Sequence, residues 1–179
     1  NAAQIIDGDA YVQAEVLEKA FGYGYKWDID KNTVYLNDSK KSANVLPSRF
    51  TYADLDKLPS VRNQGRLSTC WAFAACTALE SGLLPKEHYT FSVDNMSVNN
   101  GFKGTQADGG ECMRAIAYLA SWKGPVKEED DPYGDGICNY DAKPVKHVQE
   151  VQIIDSKNFE SIKKAVFLHG GVQTSIYTQ

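Results

Sequence analysis

Residues 63–81 read NQGRLSTCWAFAACTALES, a polar turn holding Gly65 set against a run of small and apolar residues, with Cys70 at the seam. The residues after the seam, Ala72, Phe73, Ala74, Ala75, Ala78 and Leu79, are apolar nearly all round a helix. Such a helix is expected at the centre of a domain, closely surrounded, and Gly82 and Pro85 mark its end. Cys76 falls inside this helix and reads as a small buried hydrophobe. Cys70 instead opens the first turn, where backbone N–H groups lack intrahelical partners and the positive end of the macrodipole favours thiolate over thiol. A thiolate is a strong nucleophile, and acyl transfer also needs donors for the oxyanion that forms on attack. Gln64, six residues earlier and followed by Gly65, has an amide NH2 that supplies such a donor beside the Cys70 backbone N–H. Residues 64–70 therefore read as half of an acyl-transfer site.

The rest of the chain bounds that reading. Its 179 residues are 42% hydrophobic, enough for one core with a small appended unit, and the net charge of −4 comes from mixed signs without a basic stripe. A nucleic-acid footprint is therefore not expected. No apolar run approaches the length of a spanning helix, and the opening residues lack the regions of a signal peptide. Four cysteines, Cys70, Cys76, Cys112 and Cys138, fit neither a zinc ribbon nor a dense disulfide scaffold. With no histidine cluster, neither a metal nor a cofactor is expected. The sequence DIDKN at 28–32 mimics the opening of a calcium loop, but Thr33 and Ser39 stand where that loop needs Gly and Glu, so it reads as a hairpin turn.

Periodicity divides the chain. Val12, Val16, Leu17, Ala20 and Phe21 predict a helix over 11–21, followed by two short β-rich runs at 25–29 and 33–36 in hairpin composition. Residues 37–44 are polar and read as linker. Beyond them, 46–65 reads as loop with one short helical turn, interrupted by Pro47 and Pro59. Further helices are expected over 111–123, ended by Gly124 and Pro125, and over 159–168; residues 172–177, VQTSIY, read as a strand. The run KEEDD at 127–131 reads as a solvated charge cluster.

The segment VRNQGRLSTCWAFAACTALES resembles the active-site segment of papain-like cysteine peptidases, Q-G-x-C-G-S-C-W-A-F, at Gln64, Gly65, Cys70, Trp71, Ala72 and Phe73. The likeness continues in family order through LPSRF at 46, FSVDNMSVNN at 91, DGGECMRAIAYLASWKGPV at 108 and DPYGDGIC at 131. The resemblance implies an α+β, papain-like fold over 46–179: mainly the helical left half with its central cysteine-bearing helix, and the start of the β-rich right half. It implies Cys70 as nucleophile and Gln64 as oxyanion donor. Gly109 and Gly110 would pair with an extended peptide substrate, and Trp71, Glu111, Cys112 and Ser175 join the substrate-binding set, Glu111 at the edge of a pocket suited to a basic side chain.

There are departures from the pattern. Leu67 and Ala107 stand where the family often has a disulfide. Ser68 and Thr69 replace Gly-Ser, adding hydroxyls suited to capping. Cys138 aligns with a disulfide cysteine whose usual partner position is Asn99, and whether it pairs with Cys112 stays open. The family's catalytic His and Asn lie about 130–150 residues after the cysteine, beyond Gln179. His88, His147 and His169 read as structural: a polar connection, a strand entry and a helix C-terminus. The 179 residues are therefore expected to be the N-terminal part of a longer peptidase, inactive alone.

Residues 1–36 resemble, over about half a domain, the small αββ repeat of bacterial copper-amine-oxidase-like stalk domains, which implies no copper site. With 37–45 as linker, this implies an exported or cell-surface bacterial protein acting on peptide or protein substrates, with cell-wall polymer or a surface protein as further partner. The alternative is a catalytically inactive papain-like module serving attachment. Whether residues 1–45 hold an enzyme latent is left open.

Overall fold

The computed structural model describes residues 3–6, 9–12, 23–28, 33–38, 46–55 and 57–177. The chain divides into two compact units, Asn1–Ser48 and Arg49–Gln179.

Among the described residues of the first unit there are two antiparallel strand pairs. Strands β1 (Ala3–Ile6) and β2 (Asp9–Val12) pair with Ile6 opposite Asp9, and β3 (Tyr23–Asp28) and β4 (Thr33–Asp38) pair with Asp28 opposite Thr33. The hairpin expected from the β-rich runs is present, and β4 runs on through Asp38, two residues into the stretch read as linker. The expected helix over 11–21 is corrected at its start, because Tyr11 and Val12 belong to β2; residues 13–21 lie outside the described residues. Asp7–Gly8, a two-residue hairpin dipeptide flanked by Ile5, Ile6 and Ala10–Val12, carried a strand signal that the helical period obscured.

The second unit is built on helix α1 (Cys70–Leu83). Its small residues Ala72, Ala75 and Cys76 are buried and let α2 (Val93–Val98) and α3 (Cys112–Ala120) approach closely. Phe91, Val93, Met96, Ala115, Tyr118 and Leu119 fill the space around them. Helix α2 is short, and its N-cap is firm. Ser92 Oγ accepts from Asn95 N at 2.9 Å and donates to Asp131 O at 2.6 Å. Helix α3 is shorter than its sequence pattern, running only from Cys112 to Ala120. Helix α4 (Phe159–His169) is followed by Gly170 and Gly171, which lie against Gly82 and Ala78 of α1. A Cβ at Gly170 would sit 2.8 Å from Gly82 Cα, so only glycine permits this crossing. Residues 172–177 form no strand among the described residues, contrary to expectation. They keep β composition but have no paired neighbour there, and a strand exists only in a ladder.

The charge run at 127–131 is solvated only in part. Asp131 is buried, accepting from Asn95 Nδ2 at 2.8 Å and Asn139 N at 3.1 Å, while Tyr118 Oη donates to Asn95 Oδ1 at 2.7 Å. Asn95 thus joins α2, α3 and the 131–139 loop through one amide.

Asp94 is also buried, with Gln106 Nε2 donating to its Oδ1 at 2.5 Å. Burial pushes its carboxyl above the ordinary aspartate value, opposed by the Gln106 hydrogen bond. The folded carboxyl holds its proton more tightly than the unfolded one. Its contribution to stability is therefore complete below the unfolded value and is lost as pH rises through the raised one. Asp94→Asn keeps an acceptor for Gln106 and removes the titration. Its urea midpoint is expected to gain on wild type as pH rises from mildly acidic to mildly alkaline; a constant difference between the two proteins would refute this.

Candidate active site

Cys70 is the first residue of α1 and is exposed, with a free thiol. The helix begins there because Thr69, with φ −103° and ψ 16°, is the N-cap, its carbonyl accepting from Ala72 N and Phe73 N at 3.0 and 3.1 Å. The hydroxyl expected to cap does not. Thr69 Oγ1 makes no side-chain cap bond and lies 2.6 Å from Tyr133 Oη instead, with Thr69 fully buried. Ser68 is held through its backbone, its N donating to Gln106 O at 3.0 Å. The first turn of α1 thus keeps its N–H groups free of a side-chain cap, the arrangement a helix entrance needs to receive an anion.

Gln64 lies in the turn before the helix. Its Nε2 donates to Leu67 O at 2.8 Å, which uses one of the two amide hydrogens and leaves the other. Its carbonyl accepts from Tyr133 Oη at 2.9 Å. Gly65 has φ +62°, a conformation suited to glycine, and its N–H donates to Asn63 Oδ1 at 2.8 Å.

The glycine pair sits against this turn. Gly109 has φ +77°, and a Cβ there would lie 3.7 Å from Ser68 Cβ. At Gly110 a Cβ would lie 2.4 Å from Trp71 Nε1 and 2.8 Å from Arg114 Cδ, so any side chain would displace a buried indole. The Ser68–Gln106 bond and the Trp71–Gly110 contact join the 106–110 loop to the cysteine turn at Leu67 and Ala107, where the related pattern carries a disulfide. The loop also closes on itself, Asp108 Oδ2 accepting from Thr105 N and Oγ1 at 2.6 and 2.9 Å.

Of the residues assigned to substrate, Glu111 is the N-cap of α3, and its carboxylate is not spent on the helix. Glu111, Cys112 and Ser175 are all exposed. Trp71 is different. It is buried beneath Gly110, and its carbonyl accepts from Gln173 Nε2 at 3.0 Å, so it supports the glycine pair from below. Gln173 also fixes the segment leading to Ser175 onto the first turn of α1.

The three histidines lie on other parts of the unit. His169 O is against Gly82, twelve residues along α1 from Cys70, or about 18 Å of helix. His88 lines a cavity with Glu80 and Leu84 toward that same end. His147, expected at a strand entry, is in irregular structure, its ring stacked on Trp122 just past the C-terminus of α3 at 4.5 Å. Cys76 is fully buried, and desolvation pushes its thiol far above the usual range, as expected of a structural cysteine. Cys112 and Cys138 are both free.

Tyr133 is the site residue that the sequence reading missed. It lies in the quoted DPYGDGIC segment, but its two contacts reach back 64 and 69 residues, which no local pattern reveals.

Comparison with known proteins gives a consistent picture. The family profile described as Papain family cysteine protease matches residues 46–179. A viral cathepsin of Adoxophyes honmai nucleopolyhedrovirus is 28% identical over 149 residues, covering 81% of this chain and 44% of its own length. Cathepsin L 2 of Paramecium tetraurelia is 32% identical over 132 residues, covering 69% of this chain and 42% of its own. The chain thus spans less than half the length of these relatives. Among solved structures, the cysteine protease and lectin-like domains of Cwp84, a surface layer associated protein of Clostridium difficile, match with a TM-score of 0.60 at 26% identity. That match covers 68% of this chain and 31% of the other. A Carica candamarcensis cysteine protease in complex with E-64 matches with a TM-score of 0.59 at 20% identity, over 69% of this chain and 60% of that one, a likeness of fold.

Proposed function

The chain belongs to the papain family of cysteine proteases, and from that premise we propose that it is the nucleophile-bearing part of a peptidase hydrolysing peptide bonds through a thioester. The observation that carries this reading is the exposed Cys70 at an uncapped helix entrance, with Gln64 and the Gly109–Gly110 loop held to the same turn. Cys70 Sγ attacks the scissile carbonyl. The oxyanion is met by the Cys70 backbone N–H and the second hydrogen of the Gln64 amide. Collapse expels the amine, which takes its proton from an imidazolium, and water then hydrolyses the thioester with the imidazole as base. We take the imidazole and the side chain that orients it to come from residues beyond Gln179, since His88, His147 and His169 lie on other parts of the unit. Gly109 and Gly110 offer backbone groups to an extended substrate, and Glu111 at the rim favours a basic side chain.

The setting proposed is a bacterial protein, secreted or held at the cell surface. It is supported by the likeness to Cwp84, described as surface layer associated, and by the resemblance of residues 1–36 to stalk repeats. That first unit, joined through a linker, would contact cell-wall polymer or a surface protein. One observation favours the alternative of an inactive attachment module: the Gln64 amide is already engaged with Leu67 O.

Covalent labelling of the full-length protein separates the two. An epoxide or vinyl-sulfone peptide inhibitor is expected to add one equivalent at Cys70, identified by peptide mass mapping, with loss of all cleavage. A full-length protein that cleaves no peptide and is labelled at Cys70 no faster than at Cys112 or Cys138 would leave the module reading.

A further inference from the structure

We propose that Tyr133 is a positioning residue for the nucleophile, its hydroxyl clamping the Gln64 main chain to the threonine that opens the cysteine helix. This rests on the peptidase reading of Cys70 and goes beyond it by naming what fixes the two halves of the oxyanion site relative to each other.

The hydrogen-bond chemistry has one solution. Gln64 O can only accept, so at 2.9 Å the single phenolic proton goes to it. Tyr133 Oη therefore accepts from Thr69 Oγ1 at 2.6 Å, and the threonine proton is spent outward, away from the helix. One hydroxyl thus ties residue 64 to residue 69, on either side of the turn that must hold the Gln64 amide and the Cys70 N–H at a common distance from the oxyanion. With its side chain turned to Tyr133, Thr69 makes no cap bond to the first turn of the helix.

The phenol is itself rigidly held. Its ring packs edge-on against Phe73 of α1 with centroids 4.8 Å apart. Its backbone N donates to Glu128 Oε1 at 2.9 Å, and Glu128 Oε2 faces Arg62 Nη1 at 3.5 Å. Tyr133 therefore links the half-buried Arg62–Glu128 pair to the reactive turn.

The test uses full-length protein carrying Tyr133→Phe, which retains the ring on Phe73, alongside Thr69→Val and Thr69→Ser. In hydrogen-exchange mass spectrometry, peptides spanning 63–71 are expected to exchange about tenfold faster in Tyr133→Phe and Thr69→Val, with 112–119 unchanged. Thr69→Ser restores the donor and should match wild type. Toward a peptide substrate, kcat is expected to fall roughly tenfold with KM within about twofold, because misplacement affects the transition state more than ground-state binding. The double variant should cost no more than either single one, as for two parts of one device. Unchanged exchange at 63–71, or faster exchange with unchanged kcat, overturns the proposal. A wild-type protein inert toward peptides would defeat the peptidase reading instead, and the exchange data alone would then decide whether Tyr133 holds the turn.

Discussion

Cys70→Ala in the full-length protein is expected to lower kcat/KM for peptide hydrolysis by about 10⁴- to 10⁶-fold, the loss seen when a nucleophile acting with a base is removed. The thermal midpoint should hardly move. Cys70 is exposed and takes no part in the core, and substitutions at such positions usually change stability by less than about 0.5 kcal/mol. Cys76→Ala reverses the pattern. That thiol is buried among Trp71, Phe91 and Met96, so its loss opens a small cavity and costs about 1 kcal/mol or more while sparing chemistry. The two cysteines lie on one helix, six residues apart, and what separates them is solvent. Desolvation holds Cys76 as a neutral thiol, whereas Cys70 faces water at a terminus with unpaired donors. Comparable activity loss in both variants would mean that the helix matters only as scaffold, and cleavage surviving Cys70→Ala would remove the thioester route.

The contrast explains what could be read from the sequence. The start of α1 was legible because polar turn, glycine and small apolar run meet at one residue, whereas the glycine pair was reached only through the family resemblance, and its need to admit the Trp71 indole is a tertiary fact. Elements with overlapping periods were not legible. Val12 completes a helical pattern with Val16 and also alternates in β2, and the pairing of Val12 with Ala3 of β1 decided the matter. Charge composition was equally blind to partners. Asp131 looks solvated beside Glu129 and Asp130 until Asn95, 36 residues earlier, reaches it. The clamp at Tyr133 was hidden for the same reason, since a hydroxyl's partners are a tertiary fact.

The largest expected loss of stability comes from the charge cluster beneath that clamp. Arg62 Nη2 is 2.9 Å from Glu80 Oε1, Nη1 donates to Phe91 O at 2.9 Å, and the guanidinium lies 5.3 Å from the Phe73 ring centre. Glu80 is only 3% exposed and also accepts from Phe91 N at 2.8 Å. Arg62→Met keeps much of the volume but leaves Glu80 and Phe91 O without the guanidinium. A buried carboxylate stripped of its partner costs about 3–5 kcal/mol. The pH dependence identifies the cause. Burial already raises the Glu80 carboxyl above its ordinary value, and loss of Arg62, which lowers it, raises it further. A raised carboxyl contributes its stability below the unfolded value and loses it as pH rises, so the urea midpoint of Arg62→Met should fall away from wild type most in alkaline buffer. Adding Glu80→Gln removes the stranded charge while keeping an acceptor for Phe91 N, and most of the loss should return. A single variant that loses less than about 1 kcal/mol, or whose deficit is the same across pH, would show that the pair is already solvated. If the deficit behaves as argued, exchange at 63–71 should quicken in Arg62→Met as well, because Glu128 holds Tyr133 N and faces Arg62 from the other side.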